Sequence, residues 1–186
     1  MRIFELKTDP NRYCDFALSK PEADGWINTA FDGRPLANNW TPVQMQVADQ
    51  DDSCAELADY ALLGTVPVFS AAAVDVLLDL LRPNGELLPL RYPRKEYMAY
   101  NVTRVTDALD EQQSSVIRFT TGRVMSITKY VFNEEALINA PIFKITQLPL
   151  AYVFVSDVFV KRIQESSLTG FIFRPTWVTS RFAFPG

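Results

Sequence analysis

The side chains able to do chemistry in this sequence are mostly acids, and they cluster. Asp49, Asp51, Asp52, Glu56 and Asp59 place five carboxylates within 11 positions. Such a segment can cover the basic active site of a nuclease and speed its capture by electrostatic steering. It can equally stand in solvent as a loop and helix start, where acids are favourable. Calcium binding needs a Gly at the loop bend and a terminal bidentate Glu, and Asp49-Gln50-Asp51-Asp52-Ser53 lacks that Gly. Asp107, Asp110 and Glu111 can be set out as paired carboxylates for glycoside hydrolysis, but polar turn residues are the simpler account. Arg91, Arg94 and Lys95 beside Tyr92 and Tyr97 offer charges and rings to a nucleic acid, yet the chain as a whole has a formal charge of −4. Ser70 and Ser156 have no base nearby and no GxSxG turn, so both read as helix caps.

What is missing narrows the chemistry further. The chain has no histidine, which removes the commonest general base, the Ser–His and Cys–His nucleophile systems and the commonest metal ligand. Carboxylate or lysine chemistry is what remains. There is no P-loop and no GxGxxG turn. Cys14 and Cys54 form no CxxC pair and fit no zinc spacing, and the expectation is two reduced thiols in the cytosol. No catalytic residue, metal or cofactor is therefore expected. An acidic chain with pI about 4.9 has no electrostatic reason to seek nucleic acid, whose binding rests on neutralised phosphates. The N-terminus lacks the apolar run of a signal peptide, and Tyr60 to Val74 is too short and too interrupted to span a bilayer. These features point to a cytoplasmic protein with no membrane partner.

The elements that must position these groups are short. Arg2 to Leu6 alternates and predicts an edge strand. Residues 9–42 are punctuated by proline and glycine and read as loop and turn, with Trp26, Phe31 and Trp40 folding back onto the core. Val43 to Val47 alternates as a half-buried strand. Val66 to Phe69 is strand-like, and Ser70 caps a helix with Val74, Leu77, Leu78 and Leu81 on one face. Pro83-Asn84-Gly85 stops that helix, with Gly85 free to take positive φ, and Glu86 to Leu90 returns as a strand. Tyr97 to Thr106 is a further strand, and Asp107 to Gln113 forms one helical turn. Val116–Thr120 and Val124–Thr128 flank a Thr121-Gly122 hairpin turn, with Ile117 and Phe119 on the side of Met125 and Ile127. Asn133 caps a short helix, and Phe143 and Ile145 belong to another strand. Tyr152 to Val155 is apolar on both faces, as in a central strand. Ser156 or Asp157 then caps a helix bearing Phe159, Val160 and Ile163. Gly170 closes it, and Phe171-Ile172-Phe173 is a strand. The end of the chain thus repeats a strand–Ser–helix–Gly–strand unit seen at 66–90. The class is α+β, mainly antiparallel sheet with two or three short helices. One domain spans 1–186, with residues 1–45 as a loosely packed N-terminal subregion.

Short motifs tie these elements to a known family. They are Leu57-Ala58-Asp59-Tyr60, Pro67-Val68-Phe69-Ser70, Gly85-Glu86-Leu87-Leu88-Pro89-Leu90, Tyr97-Met98-Ala99-Tyr100-Asn101-Val102, Ala108-Leu109-Asp110 and a Ser114-Ser115 pair. The chain closes with Val155-Ser156-Asp157-Val158-Phe159 and Leu168-Thr169-Gly170-Phe171-Ile172-Phe173. This resembles the bacterial immunity-protein family numbered eleven, formerly a domain of unknown function, of myxobacterial type. The similarity runs from about residue 55 to 175. The resemblance implies an immunity protein of a polymorphic toxin system, encoded beside a toxin and neutralising it by stoichiometric binding in bacterial competition. It brings no catalytic residue. The core at 55–175 is family-like, and the first 45 residues fall outside it.

Two surfaces are candidates for the partner. One is the acidic stretch of Asp49, Asp51, Asp52, Glu56 and Asp59. The other is the C-terminal segment, where Trp177, Arg181 and Phe182 either dock on their own domain or anchor a partner, a use to which Trp, Phe and Arg are suited. Against the toxin-binding reading stand a carboxylate- or lysine-dependent enzyme and a structural assembly subunit. A deep pocket with convergent carboxylates would mark the enzyme. A large apolar interface would mark the subunit. Toxin identity, oligomeric state and strand order are not legible.

Overall fold

The computed structural model describes residues 1–20, 27, 29–48 and 56–179. The class is α+β, with antiparallel ladders dominating. The first sheet has the order β13-β1-β12-β11-β8. Its strands are β1 (Arg2–Lys7), β8 (Val105–Thr106), β11 (Ile142–Ile145), β12 (Phe154–Ser156) and β13 (Ile172–Val178). The second has the order β3-β2-β4-β5-β7-β6. It is built from β2 (Phe16–Leu18), β3 (Met45–Val47), β4 (Tyr60–Leu63), β5 (Val66–Ser70), β6 (Gly85–Pro89) and β7 (Tyr97–Val102). The strands β9 (Ser115–Arg118) and β10 (Val124–Lys129) form a hairpin of their own. Two ladders are parallel, β2 with β4 and β11 with β8.

The two repeated units are equivalent in topology as well as in pattern. In the first, β5 leads into α1 (Ala71–Leu81) and on to β6, with β7 inserted antiparallel between the two strands. In the second, β12 leads into α2 (Asp157–Gln164) and on to β13, with β1 inserted in the same way. Each is a split strand–helix–strand unit, and both flanking strands run antiparallel to the insert. The helices meet through Arg162, which pairs with Asp79 at 2.7 Å and donates to the Val76 carbonyl at 2.9 Å. Between the sheets lies one shared core. It takes Ala73, Leu77, Leu80 and Leu81 from α1, and Phe159, Val160 and Ile163 from α2. Phe4, Leu6 and Val155 come from the first sheet, and Tyr60, Phe69, Tyr100 and Val102 from the second. Fully buried side chains such as Phe69 and Phe159 contribute about 1.5–3 kcal/mol each through the apolar surface they remove from water. The outer face of each sheet carries a smaller cluster, around Phe16 and Tyr97 on one side and around Phe132 and Phe154 on the other.

Several local expectations change. β1 is internal, not an edge, because the returning ends of the chain pair on both of its sides. The buried face of α1 is Ala73, Leu77, Leu80 and Leu81, rotated from the predicted stripe, with Val74 partly buried against the same core. Ser70 caps α1 as expected, its Oγ accepting from the Ala73 N–H at 3.2 Å. Ser156 does not use its side chain to cap α2. Asp157 instead accepts from the Arg2 backbone N–H and side chain. Gly85 is not at positive φ. It opens β6 opposite Val102, where a Cβ would meet Asn101 O at 2.4 Å. Residues 107–113 make a turn and no helix. In the hairpin, irregularities on either side of Ser126–Ile127 bury Ile127 and leave Ile117, Phe119 and Met125 exposed.

Candidate partner-binding site

Asp49, Asp51, Asp52, Arg181 and Phe182 lie outside the described residues. The remaining candidates separate. Glu56 is exposed at a bridge to Tyr13, and its carbonyl accepts the Cys14 N–H at 3.3 Å. Asp59 stands just before β4 and is engaged within the fold. Its Oδ1 accepts from Ser70 Oγ at 2.7 Å and Lys95 Nζ at 2.9 Å. Its Oδ2 accepts from the Thr169 N–H at 3.1 Å and Thr169 Oγ1 at 3.2 Å. Burial alone would raise its pKa. The hydrogen bonds from Lys95, Ser70 and Thr169 outweigh that and hold the carboxyl below the usual carboxylate range. Trp177 is half-buried on β13, opposite Ile3, with its ring edge-on to Phe132 at 5.9 Å.

This arrangement explains why scattered motifs accompany one another. Asp59, Ser70, Thr169 and Gly170 belong to three separate stretches and meet at one node. Gly170 has φ +90°, and a Cβ on it would come within 2.4 Å of both Ala58 Cβ and the Tyr60 carbonyl oxygen. It is not the cap of α2, which ends at Gln164. Next to it, Phe171 stacks on Tyr60 at 5.0 Å, and Phe173 reaches Phe4 and Phe159 at 6.3 and 6.4 Å. The terminal motif therefore pins the second repeated unit to β4 of the second sheet.

The expected turn acids have local partners. Asp107 accepts from Thr146 and Gln147, Asp110 closes its own turn on Gln112 and Gln113, and Glu111 pairs with Arg118. Among the described residues, no group of three or more acids or cysteines is placed to hold a metal ion. Cys14 is disulfide-bonded, which corrects the expectation of two free thiols. Sequence reasoning also missed Lys144, which is buried and donates to the Phe31 carbonyl at 2.6 Å. Burial pushes its pKa down to about 8, with Asp32 opposing the shift. Nothing in the alternation of Phe143 and Ile145 signals that both faces of β11 are covered.

The stretch from Arg91 onward contains the hairpin, α2 and four strands of the first sheet, and its comparison with known families is specific. Residues 91–177 match the model of the Immunity protein family (Imm11). The chain is thus similar to immunity proteins of the Imm11 type over that span, in agreement with the resemblance carried by its motifs. The Imm11 match includes Lys95, Thr169 and Gly170 of the node, while Asp59 and Ser70 precede it. No curated protein matches the chain.

Proposed function

We propose that this protein is an immunity protein that neutralises a cognate toxin by stoichiometric binding and is itself no enzyme. The Imm11 match over residues 91–177 carries the reading. It is supported by a sequence without histidine, which leaves little vocabulary for general base or nucleophilic catalysis. The partner is a toxin domain encoded next to this chain, and neither nucleic acid nor membrane is needed for its capture. The acids at Asp49, Asp51 and Asp52, with Glu56, steer its approach, Asp59 being spent on its ion pair with Lys95, and Trp177, Arg181 and Phe182 contribute anchoring contacts. The test is co-expression with the adjacent gene product, read as co-purification and rescue of growth. A neighbouring product that neither binds nor harms cells defeats the reading. Replacing Asp49, Asp51 and Asp52 together by Asn should slow association and flatten its salt dependence, because exposed charges act mainly on the on-rate.

The proposed site of action is the cytoplasm, where the toxin does its damage. No helix among the described residues is long and apolar enough to cross a membrane. The disulfide at Cys14 bears on compartment in the opposite sense, since cytosolic reductants keep such bonds open. The two are separable by experiment. A Cys14→Ser protein that protects as well as the parent fits cytoplasmic action, whereas protection that requires the bridge and an exported chain overturns it.

A further inference from the structure

Residues 112–133 carry Arg118, Arg123 and Lys129 and no aspartate or glutamate, in a chain whose formal charge is −4. Within this basic stretch β9 and β10 form a two-stranded sheet of their own. Val124 and Ile127 are buried in the cluster around Phe132 and Phe154, which fixes the hairpin to the first sheet. Its other side chains meet solvent. Residues 117–123 are exposed without a break. Ile117, Phe119 and Met125 are 47%, 42% and 56% exposed, three of the eight large apolar residues so exposed among the described residues. Their concentration within residues 117–125 sets them apart from the single apolar side chains that any protein surface carries.

The charges on the hairpin say what kind of surface covers it. Arg118 is engaged internally, pairing with Glu111 and donating to the Gly122 carbonyl at 2.8 Å. That brace holds the turn before any partner arrives and lowers the ordering cost of binding. The Arg123 guanidinium lies over the Phe119 ring, 5.2 Å from its centroid. Among the described residues, neither Arg123 nor Lys129 forms an ion pair. Two cations without a carboxylate thus bracket β10, with Met125 between them. The complementary surface has carboxylates around an apolar centre. Nucleic acid fits less well, because bases stack on open aromatic faces and the ring of β9–β10, Phe119, has Arg123 over it. Phosphates and anionic lipids are drawn by positive charge, and two such cations on an acidic chain supply little. A second copy of the hairpin would bring like charges together, which opposes self-pairing.

We infer that the β9–β10 hairpin is a contact surface for an acidic face of the toxin with an apolar centre. The inference rests on the immunity reading and adds to it a location and a partner chemistry. The hairpin lies inside the matched span of residues 91–177, whereas the acids at 49–59 precede it. The toxin then carries charge of both signs, basic where the acids steer it and acidic where the hairpin seats it. The test uses the full chain with the adjacent gene's toxin domain, catalytically inactivated, as the probe. Arg123→Glu combined with Lys129→Glu reverses both unpaired charges at exposed positions. This double variant should melt like the parent and bind roughly tenfold or more weakly, as like charges do across an interface. Met125→Ser should weaken binding by a smaller factor that does not change with salt. A photo-crosslinking residue at position 125 of the otherwise unchanged chain should join the toxin beside aspartate or glutamate residues, and changing those to lysine should restore binding to the double variant. The crosslink decides the question should the double variant melt early. Parent-like affinity in a folded double variant overturns the surface while leaving toxin binding intact. So does a crosslink that joins two copies of this chain. Binding of single-stranded RNA or phosphatidylserine vesicles that the double variant loses, with its toxin affinity unchanged, overturns it as well. A parent protein that fails to bind the toxin overturns the immunity reading, and the hairpin assignment falls with it.

Discussion

Replacing Gly170 by Ala adds one methyl group at the node that joins the two repeated units. At φ +90° an L side chain is strained, by about 1–2 kcal/mol. The same Cβ would sit 2.4 Å from Ala58 Cβ and from the Tyr60 carbonyl oxygen. Neither is the far end of a flexible side chain, so the start of β4 must shift, and overpacking of this kind costs about 1–3 kcal/mol more. The total is about 2–5 kcal/mol. For a chain of this size each kcal/mol lowers Tm by about 2–4 °C, so thermal unfolding followed by circular dichroism should show a drop of roughly 4–20 °C. Gly122→Ala is the control. Its φ of +83° is similar, but nothing lies within 4 Å of its Cβ position, so it carries the backbone strain alone. The gain from a less flexible unfolded chain is common to both variants and cancels in the comparison. Equal Tm values for the two would refute the close contact between Gly170 and the Ala58–Tyr60 backbone.

Other perturbations probe different parts of the fold. Asp59→Asn should cost about 1–3 kcal/mol in urea unfolding, the range for leaving buried partners incompletely bonded. Because the Asp59 carboxyl is held below its ordinary value of 3.8, its contribution is full above that value and is lost as pH falls through the folded one. The variant should accordingly lose less stability on acidification than the parent. Lys144 gives the reverse range. With a folded pKa of about 8 against 10.5, the unfolded chain holds the extra proton between those values, so stability from this group rises with pH there. Lys144→Met should flatten that rise in pH-dependent melting curves. Alkylation under denaturing, non-reducing conditions should leave Cys14 unlabelled, and reduction should lower stability by about 2–4 kcal/mol; a labelled Cys14 would remove the bridge.

The α+β class and both repeated units are readable from period and punctuation, because β5 and β12 are unbroken apolar runs up to a closing serine and each helix has an apolar stripe. Strand order is not, because it depends on which distant segments meet. Nothing in Arg2–Lys7 announces that residues 154–156 and 172–178 will flank it. The role of Ser70 follows from its place before a helix, but its second bond, to Asp59, links positions far from one another in kind and needs the fold to be seen. Asp59 looks like one more member of an acidic run, and its four donors come from Ser70, Lys95 and Thr169. A recess lined by the first residue, the end of α1, the segment 137–141 and the start of α2 is invisible in sequence for the same reason. Irregularities in the hairpin ladder, which reverse the side on which Met125 lies relative to Ile127, are likewise set by packing beneath the hairpin and not by local alternation.

The internal place of β1 also governs when the molecule can be finished during synthesis. Its neighbours in the sheet are contributed by residues 154–156 and 172–178. At about 5–20 residues per second on the ribosome, the first strand waits on the order of ten seconds or more before either neighbour exists. Ile3, Phe4 and Leu6 spend that interval without a ladder. A chain released early, before β12, contains all six strands of the second sheet but neither ladder partner of β1, and its unpaired first strand makes it a substrate for chaperones and proteases. The first sheet therefore closes around β1 only once residues 172–178 have emerged, well after the strands of the second sheet are complete.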